Sequence, residues 1–480
     1  MSETAVVDRA LRLSYAELEA RTNGLAHVLQ DLGAAPAARV AALLPNCLEY
    51  FETGLAAAKV RCAFIPVNWH LKAEELGYVL ADSGAAVLVA DPALAEYVEA
   101  AREQHPNCAV VWRGVEYDEL IAAAGTAPLE DAWRTPAWMF YTSGTTGRPK
   151  GVVHGEPDGS VMAMAQDGLI AMWGFRGDDV HLLSGPGYHA GPGGYAFMHL
   201  YAGATVVVLP EWDAAEWCRL VEQERVTTTF LTPAHLIRLL EMDLDAYDLG
   251  TLRHVIHAGA PCPEPVKRRF LDALPACDVA ELYGASEGGV TRISRAEWLA
   301  RPGSVGQPWP GVGVRIADAD DPSRLLPTGA DGVIWVTPAG GRTFWYHGDD
   351  AKTHEAWHDG AFTVGDVGHL DEDGYLYVTD RISDLVLWGG VNIYPREIEE
   401  VLHTHPAVVD CAVLGVPDER HGEVLKAIVE LRAPATADEL REHVRARLAD
   451  FKVPTYVDVV DTLPRDPNGK VLKRRLKETS

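Results

Sequence analysis

The stretch best suited to chemistry runs Tyr141-Thr-Ser-Gly-Thr-Thr-Gly-Arg-Pro-Lys-Gly151. Gly144, Gly147 and Gly151 are interleaved with the hydroxyls of Thr142, Ser143, Thr145 and Thr146, and Lys150 adds a mobile cation. Glycine admits the backbone conformations of a concave nest, so such a turn can aim N–H and O–H groups at phosphate oxygens. It is not a Walker A loop. No Gly-Lys-Ser/Thr follows at the required distance, and Pro149 interrupts the turn.

Further along are two carboxylates and a late cation. Glu287 closes Tyr283-Gly-Ala-Ser-Glu, Asp366 follows Gly365, and Lys470 ends an Asp-Pro-Asn-Gly turn. Taken singly, each has an ordinary explanation: a solvated loop acid, an Asp capping its own backbone, a lysine facing water. Gly185-Pro-Gly-Tyr-His-Ala190 imitates a dinucleotide fingerprint, but the Gly191-Pro-Gly-Gly194 that follows is expected to prevent the helix such a fingerprint needs. His403-Thr-His405 precedes Pro406 at a helix end and is read as structural, not metal-binding.

Taken together, these stretches resemble the acyl-adenylate-forming (ANL) superfamily, the AMP-dependent synthetases and ligases. It includes acyl- and aryl-CoA ligases, luciferases and peptide-synthetase adenylation domains. The 141–151 stretch is similar to that family's phosphate loop. Leu44-Pro-Asn46 and Ile65-Pro-Val-Asn-Trp69 resemble its N-terminal signatures. Tyr283 to Glu287 resembles YGxTE, with Ser286 keeping the hydroxyl of the usual Thr. Gly303-Ser-Val-Gly306, Gly365-Asp366, Asp380-Arg381, Gly389-Gly-Val-Asn-Ile-Tyr-Pro395 and Pro467-Asn-Gly-Lys470 follow in the family's order. The resemblance covers nearly the whole chain, and several motifs in sequence are far more specific than one.

The resemblance implies ATP-dependent activation of a carboxylic acid as acyl-AMP, then transfer to coenzyme A. Thr142, Ser143, Gly144, Thr145, Thr146, Gly147 and Lys150 would contact phosphates, with Gly284 and Ser286 also at the nucleotide. Tyr283 would stack on adenine, Asp366 would hold the ribose hydroxyls, and Arg381 would reach the ribose or phosphate region. Glu287 would hold Mg²⁺, and Lys470 would bridge the carboxylate and the α-phosphate. His189, Gly191, His257, Ala258, Gly259 and Ala285 would border the acyl group, with His189 beside its carbonyl. Their small neighbours suggest an acid bulkier than acetate: medium-chain, branched or aromatic. A hinge would fall on Ser383, where many relatives have Asp or Lys, and Gly389 and Gly390 would line a thiol tunnel. Catalysis must bring two anions together, so aligned positive charge is its physical requirement.

These residues need scaffolding. At 480 residues, two or more domains are expected. Apolar runs at Arg39–Leu44, Ala85–Ala90, Thr205–Leu209 and Thr227–Leu231 alternate with helical patterns at 15–32, 46–60, 73–80 and 214–224. That alternation predicts an α/β fold with mainly parallel sheets covered by helices. Short β runs fill 305–380, and Pro395 suits the first turn of a helix. The expected division is a large N-terminal region of several helix-packed sheets (1–381) and a small mobile α+β domain (382–480), with no internal repeat.

A formal charge of −27 disfavours nucleic acid, which needs Lys and Arg to displace counterions. It also means that anionic ATP and coenzyme A must be bound by local devices. Seven scattered cysteines without a CxxC pair, no apolar run of membrane-spanning length and no basic-then-apolar leader predict a cytoplasmic protein. Two rival readings stand: a carrier-protein thiol, an amine or another nitrogen nucleophile as acceptor, or a catalytically silent nucleotide binder. The last has no need of Lys470. A monomer and a homodimer both stay open.

Overall fold

The computed structural model describes residues 3–130, 132, 134–142, 149–154, 159–341, 344–389, 391–418 and 420–478. Its contacts gather into two compact units. One holds Met1–Phe230, Asp248–Leu252 and Thr343–Glu355; the other holds Leu231–Tyr247, Arg253–Arg342 and Ala356–Ser480.

In the first unit, parallel strands Ala109–Trp112, Val87–Ala90, Arg39–Leu43, Ala63–Pro66 and Ala137–Thr142 lie side by side. Val87–Ala90 is fully buried, which is why it reads as an unbroken apolar run and not as an alternation. A second group of strands orders Thr228–Leu231, Val180–Leu183, Thr205–Val208, Thr4–Asp8 and Leu11–Ser14. Helices cover these strands where the 3.6-residue spacing predicts. Tyr15–Asp31 starts on a capping box in which Glu17 N donates to Ser14 Oγ and Ser14 N donates to Glu17 Oε2. Leu25, Ala26 and Leu29 turn inward from that helix.

The second unit contains parallel strands His254–His257 and Asp278–Ala285, the latter folded back antiparallel on Gly288–Ile293. A meander of short strands between Gly313 and Arg381 follows. The last hundred residues pair Val408–Asp418 antiparallel with Gly422–Leu431, and Tyr456–Val460 runs parallel to the latter. Pro395 is the first residue of helix Pro395–His403, whose Ile398 and Leu402 join Val413, Leu425, Ala427 and Val429 in one core. The His403 side chain is buried 3.8 Å from Asp410, and exposed Thr404 has its Oγ1 2.8 Å from His443 Nε2.

One expectation fails. A helix, Ala190–Ala202, begins just before the Gly-Pro-Gly-Gly stretch and runs through it. Pro192 sits in its first turn, where the missing N–H has no intrahelical partner to lose. Gly193 is there for close approach: a Cβ on it would lie 2.0 Å from Gly187 O and 2.5 Å from Tyr50 Oη. Gly193→Ala is therefore expected to force the helix start away from the 185–187 loop. It should lower stability by about 1–3 kcal/mol in a denaturant titration.

Candidate active site

In the first unit the hydroxyl-rich turn is anchored by a β-hairpin. Ala137–Thr142 and Lys150–His154 pair antiparallel, with Thr142 opposite Lys150. Ser143, Gly144, Thr145, Thr146 and Gly147 lie outside the described residues. Tyr141 Oη donates to Asp82 Oδ2 at 2.6 Å, tying the hairpin to its neighbour, and Lys150 Nζ lies 5.8 Å from the Tyr346 ring centroid. The ends of the turn are thus held one residue pair apart.

The segment carrying His189 and Gly191 is also tightly held. Asn46 is buried; its Nδ2 donates to Gly185 O at 3.0 Å and to Leu209 O at 2.9 Å, and its Oδ1 accepts from Gly187 N at 2.7 Å. The Leu-Pro-Asn signature thereby clamps a loop 140 residues away, a role that sequence spacing could not reveal. His189 is extended, caps the helix at Ala190 and lies ring to ring with Tyr188 at 4.6 Å. Gly191 lies flush against Phe230, whose ring would be 2.6 Å from an added Cβ.

The second unit holds most of the remaining candidates. On strand Asp278–Ala285, alternation puts Glu281 and Tyr283 on one face, and a bulge between Tyr283 and Gly284 ends the regular pairing just before Glu287. Tyr283 Oη donates to Asp366 Oδ2 at 2.8 Å, while Arg381 Nε donates to Asp366 Oδ1 at 2.9 Å. Asp366 is only 5% exposed, and each of its oxygens accepts one of these donors while keeping a second lone pair. Burial and Asp366 push the Tyr283 phenol well above its ordinary range. Burial works against the Arg381 charge, but Asp366 outweighs it and holds the guanidinium even more firmly protonated. Glu287 is buried in the turn between the two antiparallel strands, beside half-buried Ser286.

Beneath Tyr283 lies a charged pair that the motifs did not announce. Lys267 has no exposed surface; its Nζ is 2.5 Å from Glu281 Oε2 and 4.9 Å from the Trp298 ring centroid. His257 pairs in register with Glu281, lies 3.7 Å from its carboxylate and has no exposed surface. Neither of its ring nitrogens has a hydrogen-bond partner. Burial, reinforced by Lys267, pushes this imidazole down to about 3, so it is neutral at physiological pH. Ala258 is buried beside it; Gly259 is exposed and Ala285 half-buried.

Lys470 closes a turn built as its residues dictate. Gly469 N donates to Asp466 O at 2.8 Å, with Pro467 at the second position and Gly469, φ +85°, at the fourth. A Cβ at Gly469 would come 2.7 Å from that of Ala234, so the turn lies against the 232–234 segment. Asp466 Oδ1 accepts from Lys470 N at 2.9 Å. The lysine side chain keeps solvent access, yet the surrounding protein desolvates its ammonium. That burial, with Arg381, lowers its pKa from the ordinary lysine value, while Asp466, Asp384 and Asp366 oppose the shift. Tyr283, Asp366, Arg381 and Lys470 therefore share one electrostatic neighbourhood, drawn from three distant parts of the chain.

Ser383 occupies a short turn, Ile382–Asp384, directly after Arg381. Gly389 has φ +55° and its N–H donates to His421 O at 2.8 Å; Gly390 lies outside the described residues. Among the described residues no group of three or more His, Cys, Asp or Glu could hold a metal, and no helix is long and apolar enough to cross a membrane. All seven cysteines are free and buried.

Residues 1–341 match the AMP-binding enzyme family, and residues 397–470 match the AMP-binding enzyme C-terminal domain. A fatty acid–acyl-carrier-protein ligase of Streptomyces coeruleorubidus is 35% identical, with 99% of this chain and 93% of that protein aligned. A feruloyl-CoA synthase of an Amycolatopsis species is 37% identical over 98% of this chain and 94% of its own length. The crystal structure of ATP-bound MatB from Rhodopseudomonas palustris superposes with a TM-score of 0.89 at 30% identity, covering 99% of this chain and 95% of that one.

Proposed function

This chain belongs to the AMP-binding enzyme family, and from that premise we propose how it works as an AMP-forming acyl-CoA synthetase: it joins a carboxylate to AMP, releases pyrophosphate and passes the acyl group to coenzyme A. The observation that carries the assignment of roles is the placement of Lys470 in the electrostatic field of Asp366 and Arg381. Asp366, already oriented by Tyr283 and Arg381, receives the ribose hydroxyls. Tyr283 offers its ring to adenine. Lys470 neutralises the approach of carboxylate to α-phosphate, where two anions otherwise repel. Thr142 and Lys150, at the ends of the hairpin turn, reach the phosphates with Ser143 to Gly147.

Glu287 and the Ser286 hydroxyl offer only hard oxygen donors, a set that fits Mg²⁺ alongside phosphate oxygens. When bound, that ion supplies charge neutralisation at the pyrophosphate leaving group. Glu287 is buried in its turn. His189, Gly191, His257, Ala258, Gly259 and Ala285 make up the surroundings of the acyl group, which is medium-chain, branched or aromatic. In the second half-reaction, residues 382–480 rotate about Ser383, withdraw Lys470 and bring Gly389 and Gly390 to the thiol path. The protein works in the cytoplasm, where its seven buried thiols stay reduced.

A second acceptor, a carrier-protein thiol, is favoured by the likeness to an acyl-carrier-protein ligase. The test is pyrophosphate release across short, medium, branched and aromatic acids, with and without coenzyme A. Acid-dependent release with thioester formed only when coenzyme A is added supports the first reading. Acid-dependent release with no acyl-CoA formed moves the assignment to the carrier protein.

A further inference from the structure

The turn that presents Lys470 is tied to a neighbouring strand by the Arg465 side chain. Arg465, five residues before the lysine, donates through Nη1 to Gly469 O and through Nη2 to Asp410 Oδ2. Asp410 is 2% exposed and sits in strand Val408–Asp418; its other oxygen accepts from Cys411 N at 2.9 Å, and buried His403 lies 3.8 Å away. The Arg465 side chain is itself 17% exposed, and its Nε is buried without a partner, so the guanidinium is committed to these two acceptors. Burial pushes His235 down to about 3, with Arg465 adding to the shift, so the guanidinium faces a neutral ring there.

The arrangement is a strut. One end is fixed to a sheet strand by a charge-assisted bond from a buried carboxylate, and the other holds the carbonyl of the residue immediately before Lys470. The internal bonds of the turn, Gly469 N to Asp466 O and Lys470 N to Asp466 Oδ1, shape the loop but do not tie it to the sheet. Arg465 supplies that tie. We propose that Arg465, anchored on Asp410, is the positioning residue that fixes Lys470 for adenylate formation. It touches neither nucleotide nor acid and acts only through the lysine.

The inference rests on the role given to Lys470 above and has a distinctive consequence. Because the lysine serves the first half-reaction alone, loosening its mount should slow adenylation and spare thioester formation. A defect of folding slows both. Both half-reactions of the full-length protein are therefore measured for Arg465→Met and Arg465→Lys: pyrophosphate exchange for the first, and conversion of synthetic acyl-adenylate with coenzyme A for the second. Arg465→Met is expected to lower the adenylation rate about 10- to 100-fold, the effect of an ångström-scale misplacement. Its KM for ATP and its thioester formation should stay within about threefold of the parent, and Arg465→Lys, which keeps the charge but cannot span both acceptors, should fall between.

Selective loss of adenylation in either variant supports the strut. Equal loss in both half-reactions, or no loss in either, overturns it. Lys470→Ala, run alongside, separates the two ideas. Full adenylation in that variant removes the parent reading, whereas an inactive Lys470→Ala beside unaffected Arg465 variants removes the strut alone.

Discussion

Lys470→Ala is expected to reduce acid-dependent pyrophosphate release by about 10²–10³-fold, the loss typical of removing one preorganised donor from a developing charge. The lysine is held by a turn with its own hydrogen bonds, so truncating its exposed side chain should leave the backbone of that turn in place. ATP affinity should change little, because Tyr283, Asp366 and Arg381 make their contacts with one another independently of the lysine. Thioester formation from a presynthesised adenylate should be nearly normal. Isothermal titration with ATP and the two half-reaction assays check all three statements. Unimpaired pyrophosphate release would remove Lys470 from the chemistry.

The largest effect on stability is expected at Lys267. Its ammonium and Glu281 are both shut away from water, and removing one partner of such a pair typically costs about 3–5 kcal/mol, because the other charge is left buried alone. Lys267→Met should therefore move the denaturation midpoint strongly downward. Replacing both partners, as in Lys267→Met with Glu281→Leu, should recover most of the loss.

The sign of the pH dependence follows from Glu281. Burial raises its pKa, but the charge and hydrogen bond of Lys267 lead the neighbours that more than offset this, so the net shift is downward. A carboxylate with a lowered folded pKa contributes stability above its unfolded pKa and loses it as pH falls through the folded one. In Lys267→Met the main opposing charge is gone, burial dominates, and the folded pKa moves upward instead. Acid then stabilises the variant while it weakens the parent. The gap between them should narrow as pH drops through the carboxylate range, and a gap that widened would contradict the buried-pair account.

The two effects differ in how far they could be foreseen from residue order. Lys470 is a candidate because Pro467-Asn-Gly-Lys470 resembles a family motif, and the turn that carries it is local: Pro467 and Gly469 specify the bend almost unaided. The helix at 395–403 was likewise marked by a leading Pro, and the helix at 15–31 by its apolar spacing. Lys267 had no such mark. Nothing in a lysine on an amphipathic stretch distinguishes a solvated ammonium from one sealed beneath a tryptophan, since the difference lies in Glu281 on another strand. The helix at Ala190 was misjudged for the same reason. Intrinsic propensity argues against glycines in a helix, but at Gly193 the Gly187 carbonyl and Tyr50, the latter far away in the chain, leave room for nothing larger.

Local order therefore marked the family and nominated the phosphate-turn and reactive side-chain candidates, because each motif depends on neighbours within a few residues. Packing alone settled which groups face one another. Asp366 receives both Tyr283 and Arg381, Asn46 clamps a loop 140 residues on, and Arg465 reaches back to Asp410. Such pairings depend on the crossing of distant strands, and a burial that raises or silences a charge exists only once those strands have closed over it.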